Sequence, residues 1–321
     1  MTRRANVCAL LLLCISMVSG AHAFPVTVDN CGTPLRINAP PKRAVIHDLN
    51  MTEMALALGL QAQMAGVTGI TGWYKTDANF KAALGAIPEL APKYPSLENL
   101  LAARADLLFA GWYYGMKPGG EVTPATLARH GIATLVLTES CVHTSQARPR
   151  ATIDLLYNDM LRLGTVFGQR PRAEALVAQW RKRLQAVWPP GVAPTAPPMR
   201  VFVYDSGEDK PFTAGAAAMP TALIEAAGGR NVMDDLPVSW AHSSWESVAA
   251  RNPQFLILLD YQDGQGPSRL MATLQAHPAM RHTDAVKNQR FIALRYAELT
   301  PGPANIEAVE KLARALRAAS P

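Results

Sequence analysis

The stretch from Arg150 to Trp188, RATIDLLYNDMLRLGTVFGQRPRAEALVAQWRKRLQAVW, limits the architecture more than any other part of the chain. Ile153, Leu156, Met160, Leu163 and Phe167 recur at the three- and four-residue spacing of one helix face. Gly168 stops that helix, and Pro171 suits the first turn of a second, where a missing N–H costs nothing. The second carries Ala175, Leu176, Gln179, Leu184 and Val187. One set of short apolar runs lies before this stretch and another after it. A helix of ~17 residues spans ~25 Å, enough to bridge two lobes. The expectation is a rigid beam with a cleft between the lobes that it joins.

With 321 residues, two domains are expected. A hydrophobic content of 49% against 17% charged residues is that of a globular chain with material for two cores. The formal net charge of +6 raises nucleic acid as a partner. The densest basic run, Arg181-Lys182-Arg183, falls on the polar side of a helix and reads as a solvated face. No nucleic-acid partner is expected.

Residues 1–23 read as an export signal. Arg3 and Arg4 precede an apolar run from Ala9 to Val18, too short to span a bilayer, and Ala21-His22-Ala23 is a cleavage site that would leave Phe24 first. A periplasmic location is expected. Cys8 and Cys14 would leave with the signal. Cys31 and Cys141 would then face an oxidising compartment, where a disulfide is favoured over two buried free thiols.

Strand and helix signals alternate through both remaining parts. In the first they give a hairpin around Asn30-Cys31-Gly32, strands at Ala44–His47, Met64–Val67, Leu107–Ala110 and Thr134–Thr138, and helices between them. Residues Thr68–Tyr94 read as a loop. Beyond a proline-rich linker at Pro189–Pro198, strands are expected at Arg200–Tyr204, Phe255–Leu259 and Arg290–Leu294, with helices between them and a last one over Pro303–Ala319. The fold class is α/β: two small three-layer lobes, 24–149 and 199–321, with parallel sheets, joined by one long rigid connecting helix, Ile153 to Phe167, that with the helix following it makes up 150–188. The two parts also echo each other. Ser96-Leu97-Glu98 and Ser244-Trp245-Glu246 each place an N-capping serine and a first-turn glutamate just ahead of a core strand.

Nucleophile elbows, phosphate loops, dinucleotide fingerprints and zinc-protease helices are all missing from the sequence, so an enzyme is not expected. Glu139, Cys141 and His143 imitate metal ligands, but one such cluster without a second is weak. Aromatic residues are better placed. Ligands of open α/β sheets bind beyond the carboxyl ends of the strands. Trp112-Tyr113-Tyr114, Tyr204, Tyr261 and Tyr296 stand at or just past strand ends, while Trp73-Tyr74 and Trp240 stand in Gly- or Pro-bearing loops. Such rings suit a large planar or chelated guest.

Pro41-Lys42-Arg43-Ala44-Val45-Ile46, Pro211-Phe212-Thr213-Ala214-Gly215, Ala227-Gly228-Gly229-Arg230-Asn231-Val232 and Ser244-Trp245-Glu246-Ser247-Val248 occur in this order around the central helical stretch. As a set they resemble the periplasmic substrate-binding proteins of ABC importers for ferric siderophores and cobalamin, from about Phe24 to the end. The resemblance implies two lobes on one long helix and only a small closure motion. It also implies that Glu98 and Glu246 dock on arginines of the membrane permease, that Trp240 stacks on the ligand, and that Tyr296 supplies another aromatic surface. Arg295 is the best candidate to grip an iron complex.

The expected function is therefore capture of a metal chelate, a ferric siderophore or a corrinoid, by a monomer that hands it to the permease and carries no cofactor of its own. Trp73, Tyr74, Trp112, Tyr113, Tyr204, Trp240, Arg295 and Tyr296 are the expected ligand contacts. The rivals are a binder of heme or of a bare metal ion, for which His47, Asp48, Glu139, His143 and His242 are the candidate ligands, and, further off, a secreted enzyme.

Overall fold

The computed structural model describes residues 24–73, 76–188, 197–261 and 266–320. The proposed export signal, Tyr74 and most of the proline-rich linker lie outside the described residues. The chain opens with a hairpin, β1 (Val26–Asn30) and β2 (Thr33–Ile37), whose register pairs Asn30 with Thr33. Cys31 and Gly32 between them both take positive φ, 55° and 79°, the geometry a two-residue hairpin turn requires.

The first lobe continues through β3 (Ala44–His47), α1 (Leu49–Ala57), β4 (Met64–Thr68), α2 (Ala78–Leu84), β5 (Glu89–Ala91), α3 (Leu97–Ala102), β6 (Leu107–Trp112), β7 (Gly115–Met116), α4 (Pro124–Ala128) and β8 (Ala133–Val136). Its sheet runs β5-β4-β3-β6, with β8 on the outer side of β6 and every pairing parallel. Residues Thr68–Tyr94 are therefore not one loop. They hold α2, started by the Asp77 side chain accepting from Phe80 N at 2.8 Å, and the edge strand β5. Both elements are short, which is why no apolar period marks them.

Next come α5 (Asp154–Val166) and α6 (Arg170–Gln185), which form an antiparallel pair turned at Gly168 with φ 69°. They approach so closely at Gly164 that a Cβ there would sit 2.5 Å from that of Ala173. The second lobe is β9 (Met199–Tyr204), β10 (Phe212–Ala214), α7 (Met219–Ala226), β11 (Gly229–Asn231), β12 (Trp240–His242), α8 (Trp245–Ala250), β13 (Phe255–Asp260), α9 (Gly266–Ala276), α10 (Asp284–Lys287), β14 (Phe291–Arg295), α11 (Tyr296–Leu299) and α12 (Asn305–Ala319). Its sheet order is β11-β9-β13-β14, all parallel, and β10 and β12 form a separate antiparallel ribbon.

Both main sheets are buried on both faces, which explains why their strands read as unbroken apolar runs rather than alternating ones. Ile46 and Phe109 face one cluster while Val45 and Leu108 face another; Val203 and Ile257 alternate likewise with Phe202 and Leu258. The first of these clusters is continuous through the molecule, from Ile46 and Met51 by way of Leu163 and Val177 to Ile257 and Leu312.

The crossing between lobes is made by α6. Near its start Arg172 donates to the Ala57 carbonyl at 2.9 Å, and near its end Arg183 holds Glu310 with two bonds of 2.8 Å. Its 16 residues span ~24 Å at 1.5 Å each. The preceding helix, α5, starts beside the end of α6, where Asp154 pairs with Arg181 at 3.3 Å and Arg150, just ahead of it, holds Glu225 of the second lobe, and it runs back to pack on the first. There Asp159 accepts from Thr138 Oγ1 at 2.6 Å, and Arg162 donates to Val136 O at 3.1 Å.

Cys31 and Cys141 form the expected disulfide, closing 110 residues of chain with their Cα atoms 5.2 Å apart. It fastens the hairpin turn to the segment after β8. The Asn30 side chain reinforces that join, accepting from Val136 N at 2.8 Å and donating to Thr134 O at 3.0 Å.

Candidate functional site

In each sheet the chain starts in the middle and later builds outward on both sides, so a crevice opens between the two strands where the direction reverses. In the first lobe those strands are β3 and β6, and in the second β9 and β13. The residues beyond their carboxyl ends are His47 and Asp48, Tyr113 and Tyr114, Asp205, and Tyr261. All of them line one cleft of about 640 Å³ between the lobes. Trp73, Tyr94 and His143 complete the first wall, and Phe212, Trp240, Tyr296 and Thr300 belong to the second. No lysine or arginine stands among the described residues of the lining.

His47 is held edge-on between two glycines. A Cβ on Gly69 would come within 2.5 Å of its ring and one on Gly115 within 2.7 Å, and both glycines take positive φ, 77° and 95°. Its Nδ1 lies 2.8 Å from Thr68 Oγ1, and Tyr94 stacks on it at 5.9 Å. Asp48 has φ 66° and ψ 159°, a region costly for any residue with a side chain. Tyr113 also has positive φ, 63°. Its ring is half exposed and meets His143 edge-on at 4.7 Å. Burial, with Arg148 nearby, holds the pKa of His143 below its usual value and favours its neutral form.

Across the cleft, Trp240 stacks on Phe212 at 5.8 Å and 22°, a contact made by the β10–β12 ribbon. Tyr261 donates to Asp205 at 3.0 Å, and Tyr296 donates across the lobe boundary to Asp48 at 2.7 Å. Burial and the neighbouring carboxylates push both phenols up, so they remain protonated donors.

The lobes meet through several further bonds. Asn50 donates to Pro301 O at 2.7 Å, and Ala151 N to Ala216 O at 2.8 Å. Arg295 pairs with Asp77 at 2.6 Å and with Glu298 at 3.1 Å. Glu53 lies beside that group. Burial pushes its carboxyl up to about 7, against the pull of Arg295, and its Oε2 has no hydrogen-bond partner. Glu139 is 2% exposed and accepts from Met219 N at 2.7 Å, Ser239 Oγ at 2.8 Å and Tyr114 Oη at 3.1 Å.

Of the expected contacts, Trp73, Tyr113, Trp240 and Tyr296 come together on the cleft. Trp112 and Tyr204 do not line it. Trp112 packs beneath the sheet with Val45, Leu108 and Met116. Tyr204 is buried with Phe202 and Trp245, and its hydroxyl donates to Gly207 O. Side chains alternate along a strand, so a ring at a strand's last position faces the core as readily as the mouth. Arg295 is turned into its ion pairs. Tyr94, Tyr114, Phe212 and Tyr261 are additional lining rings. Tyr114 and Tyr261 carried the strand-end signal, whereas Tyr94 and Phe212 lie in segments without one. Among the described residues no three His, Cys, Asp or Glu side chains are grouped to hold a metal ion.

Glu98 and Glu246 occupy matching places. Each stands exposed in the first turn of a six-residue helix, α3 or α8, whose capping serine accepts a backbone N–H at 3.1 Å. Each helix leads into the strand next to the crevice, β6 or β13.

A sequence model of the family described as periplasmic binding protein matches residues 45–297. The chain belongs to the periplasmic binding protein family. Over 221 residues it is 25% identical to the vitamin B12-binding protein of Pectobacterium carotovorum subsp. carotovorum, covering 68% of this chain and 72% of that one. A crystal structure of a periplasmic binding protein from Veillonella parvula superposes with a TM-score of 0.77 at 28% identity, covering 90% of this chain and 96% of that one. An ABC-type Fe3+-hydroxamate transport protein of Saccharomonospora viridis gives a TM-score of 0.76 at 25% identity, with 91% and 99% covered. The two-lobed α/β architecture expected from the alternating strand and helix signals is that of these solved relatives.

Proposed function

We propose that this protein is the exported solute-binding component of an ABC importer and that its cargo is a corrinoid. The observation that carries the reading is the lining of the cleft: many rings, two carboxylates and, among the described residues, no lysine or arginine. A ferric catecholate bears several negative charges and heme bears two carboxylates. Either would leave charges without partners against Asp48 and Asp205, at a cost of several kcal/mol when desolvated. A corrinoid offers a broad apolar ring system edged by amide N–H donors. Trp240, Trp73 and the tyrosines match the first, and Asp48 and Asp205 accept from the second. The likeness to a vitamin B12-binding protein supports the same cargo.

Delivery rests on Glu98 and Glu246, one exposed carboxylate per lobe, meeting cationic loops of the permease. The signal at residues 1–23 supplies export, and the protein acts as a monomer without catalysis.

Titration of tryptophan fluorescence with cobalamin, a ferric hydroxamate, a ferric catecholate and zinc tests the cargo. Saturable one-to-one quenching by cobalamin at submicromolar concentration is expected. Zinc quenching with no response to cobalamin would replace the reading with a metal-ion binder.

A further inference from the structure

Glu139 is a buried carboxyl group placed at the seam of the two lobes that wall the cleft. It comes from the 3-10 turn Thr138–His143 of the first lobe, two residues before the disulfide-bonded Cys141. Of its three donors, Met219 N and Ser239 Oγ belong to the second lobe. Met219 is the first residue of α7, and Ser239 immediately precedes the cleft residue Trp240. The third donor, Tyr114, lines the opposite wall. One side chain thus ties a ring of one wall to the strand that carries the stacking tryptophan of the other.

We propose that Glu139 is the positioning residue that sets the separation of the two walls, and that binding or losing one proton on its carboxyl group tightens or loosens the closed form of the cleft. The proposal concerns the same cleft and rests on its being the place where cargo is captured.

Opening the lobes would strip Glu139 of Met219 and Ser239 and let water in. In the open form the group then approaches the ordinary carboxyl value of 4.5; in the closed form burial pushes it up to about 7, against the three donors, with Asp159 adding to the rise. The titratable groups facing it are Tyr114, whose hydroxyl is pushed well up and stays neutral, and Asp159 of α5, which is paired with Arg162 at 2.7 Å. No charged group of the second lobe contributes among the described residues. The closed form therefore holds its proton more tightly. Its advantage is greatest below about 4.5, falls by up to tenfold per pH unit as pH rises, and levels off above about 7. Acidification of the surroundings would clamp the cleft, and neutral or alkaline conditions would ease it.

The test uses the ligand-free protein, so its outcome is independent of which cargo binds. Hydrogen exchange of the Met219 amide, normalised to the intrinsic rate, is followed from pH 4.5 to 8.5. The wild-type protection factor should fall with the slope above and level near pH 7. Glu139→Gln keeps the acceptor but cannot ionise, and its protection should be flat. Ser239→Ala removes a donor that favours the charged form, so its levelling point should move to higher pH. A flat wild-type profile, or a wild-type slope that persists in Glu139→Gln, would overturn the proposal. Should Glu139→Gln fail to fold, an unmoved levelling point in Ser239→Ala would do the same.

Discussion

Removing the Cys31–Cys141 bridge by substituting both residues with serine releases a loop of 110 residues in the unfolded chain. In the chain-entropy description the bridge costs the unfolded state about 16 cal/mol/K, which is about 5 kcal/mol at room temperature. Residual structure in the unfolded ensemble reduces this, so the expected loss is ~2–5 kcal/mol. Folded-state geometry should change little. Asn30 still bonds Thr134 and Val136, and Arg162 still reaches Asn30 at 3.1 Å and Val136 at 3.1 Å. With ~2 cal/mol/K of unfolding entropy per residue over 321 residues, the upper figure lowers Tm by roughly 7–8 °C. Guanidinium titration of the oxidised protein and the double-serine variant, read by far-UV circular dichroism, supplies the free-energy difference; the slopes with denaturant should differ as well, because the uncrosslinked chain unfolds further. A loss under ~1 kcal/mol with unchanged slopes would refute the loop-closure reasoning.

Two further outcomes follow from the cleft and the exposed glutamates. Trp240→Ala removes a ring held flat by Phe212 at 5.8 Å; a loss of ~2 kcal/mol, about 30-fold in corrinoid affinity, is expected by calorimetry, with Tm nearly unchanged. Charge reversal at both Glu98 and Glu246 should abolish uptake in cells while the affinity of the purified protein stays within about twofold, and uptake that persists would remove the docking role.

The architecture was legible because both sheets are parallel and covered on both faces. Runs such as Phe255–Leu259 and Leu107–Ala110 therefore announced themselves as buried strands, and the two Ser-x-Glu helix starts marked where each lobe repeats itself. The disulfide followed from the expected export signal and the cysteine count. The small elements were not legible. Asp77 caps a seven-residue helix with one buried apolar residue, Phe80, so no periodicity betrays it. How the two helices of 150–188 share the span between the lobes was not legible, because it depends on how the chain turns back at Gly168, and that is a matter of tertiary packing. The cleft was legible only at the level of rings near strand ends. Sequence places Tyr204 and Tyr261 alike, but the pleat turns the first into the core and leaves the second against Asp205. Glu139 showed in the sequence only as a weak metal candidate. Its bonds to Met219 and Ser239 span 80 and 100 residues and have no local signature.

The cleft is proposed to hold its guest by ring stacking and hydrogen bonds, with no lysine or arginine among the described residues of its lining. Calorimetric titration with cobalamin and with a ferric catecholate, each at about 50 and 500 mM salt, addresses it most directly. Cobalamin should bind one-to-one with an affinity that barely changes with salt, and the catecholate should bind far more weakly. Tighter binding of the catecholate, weakening as salt rises, would contradict it.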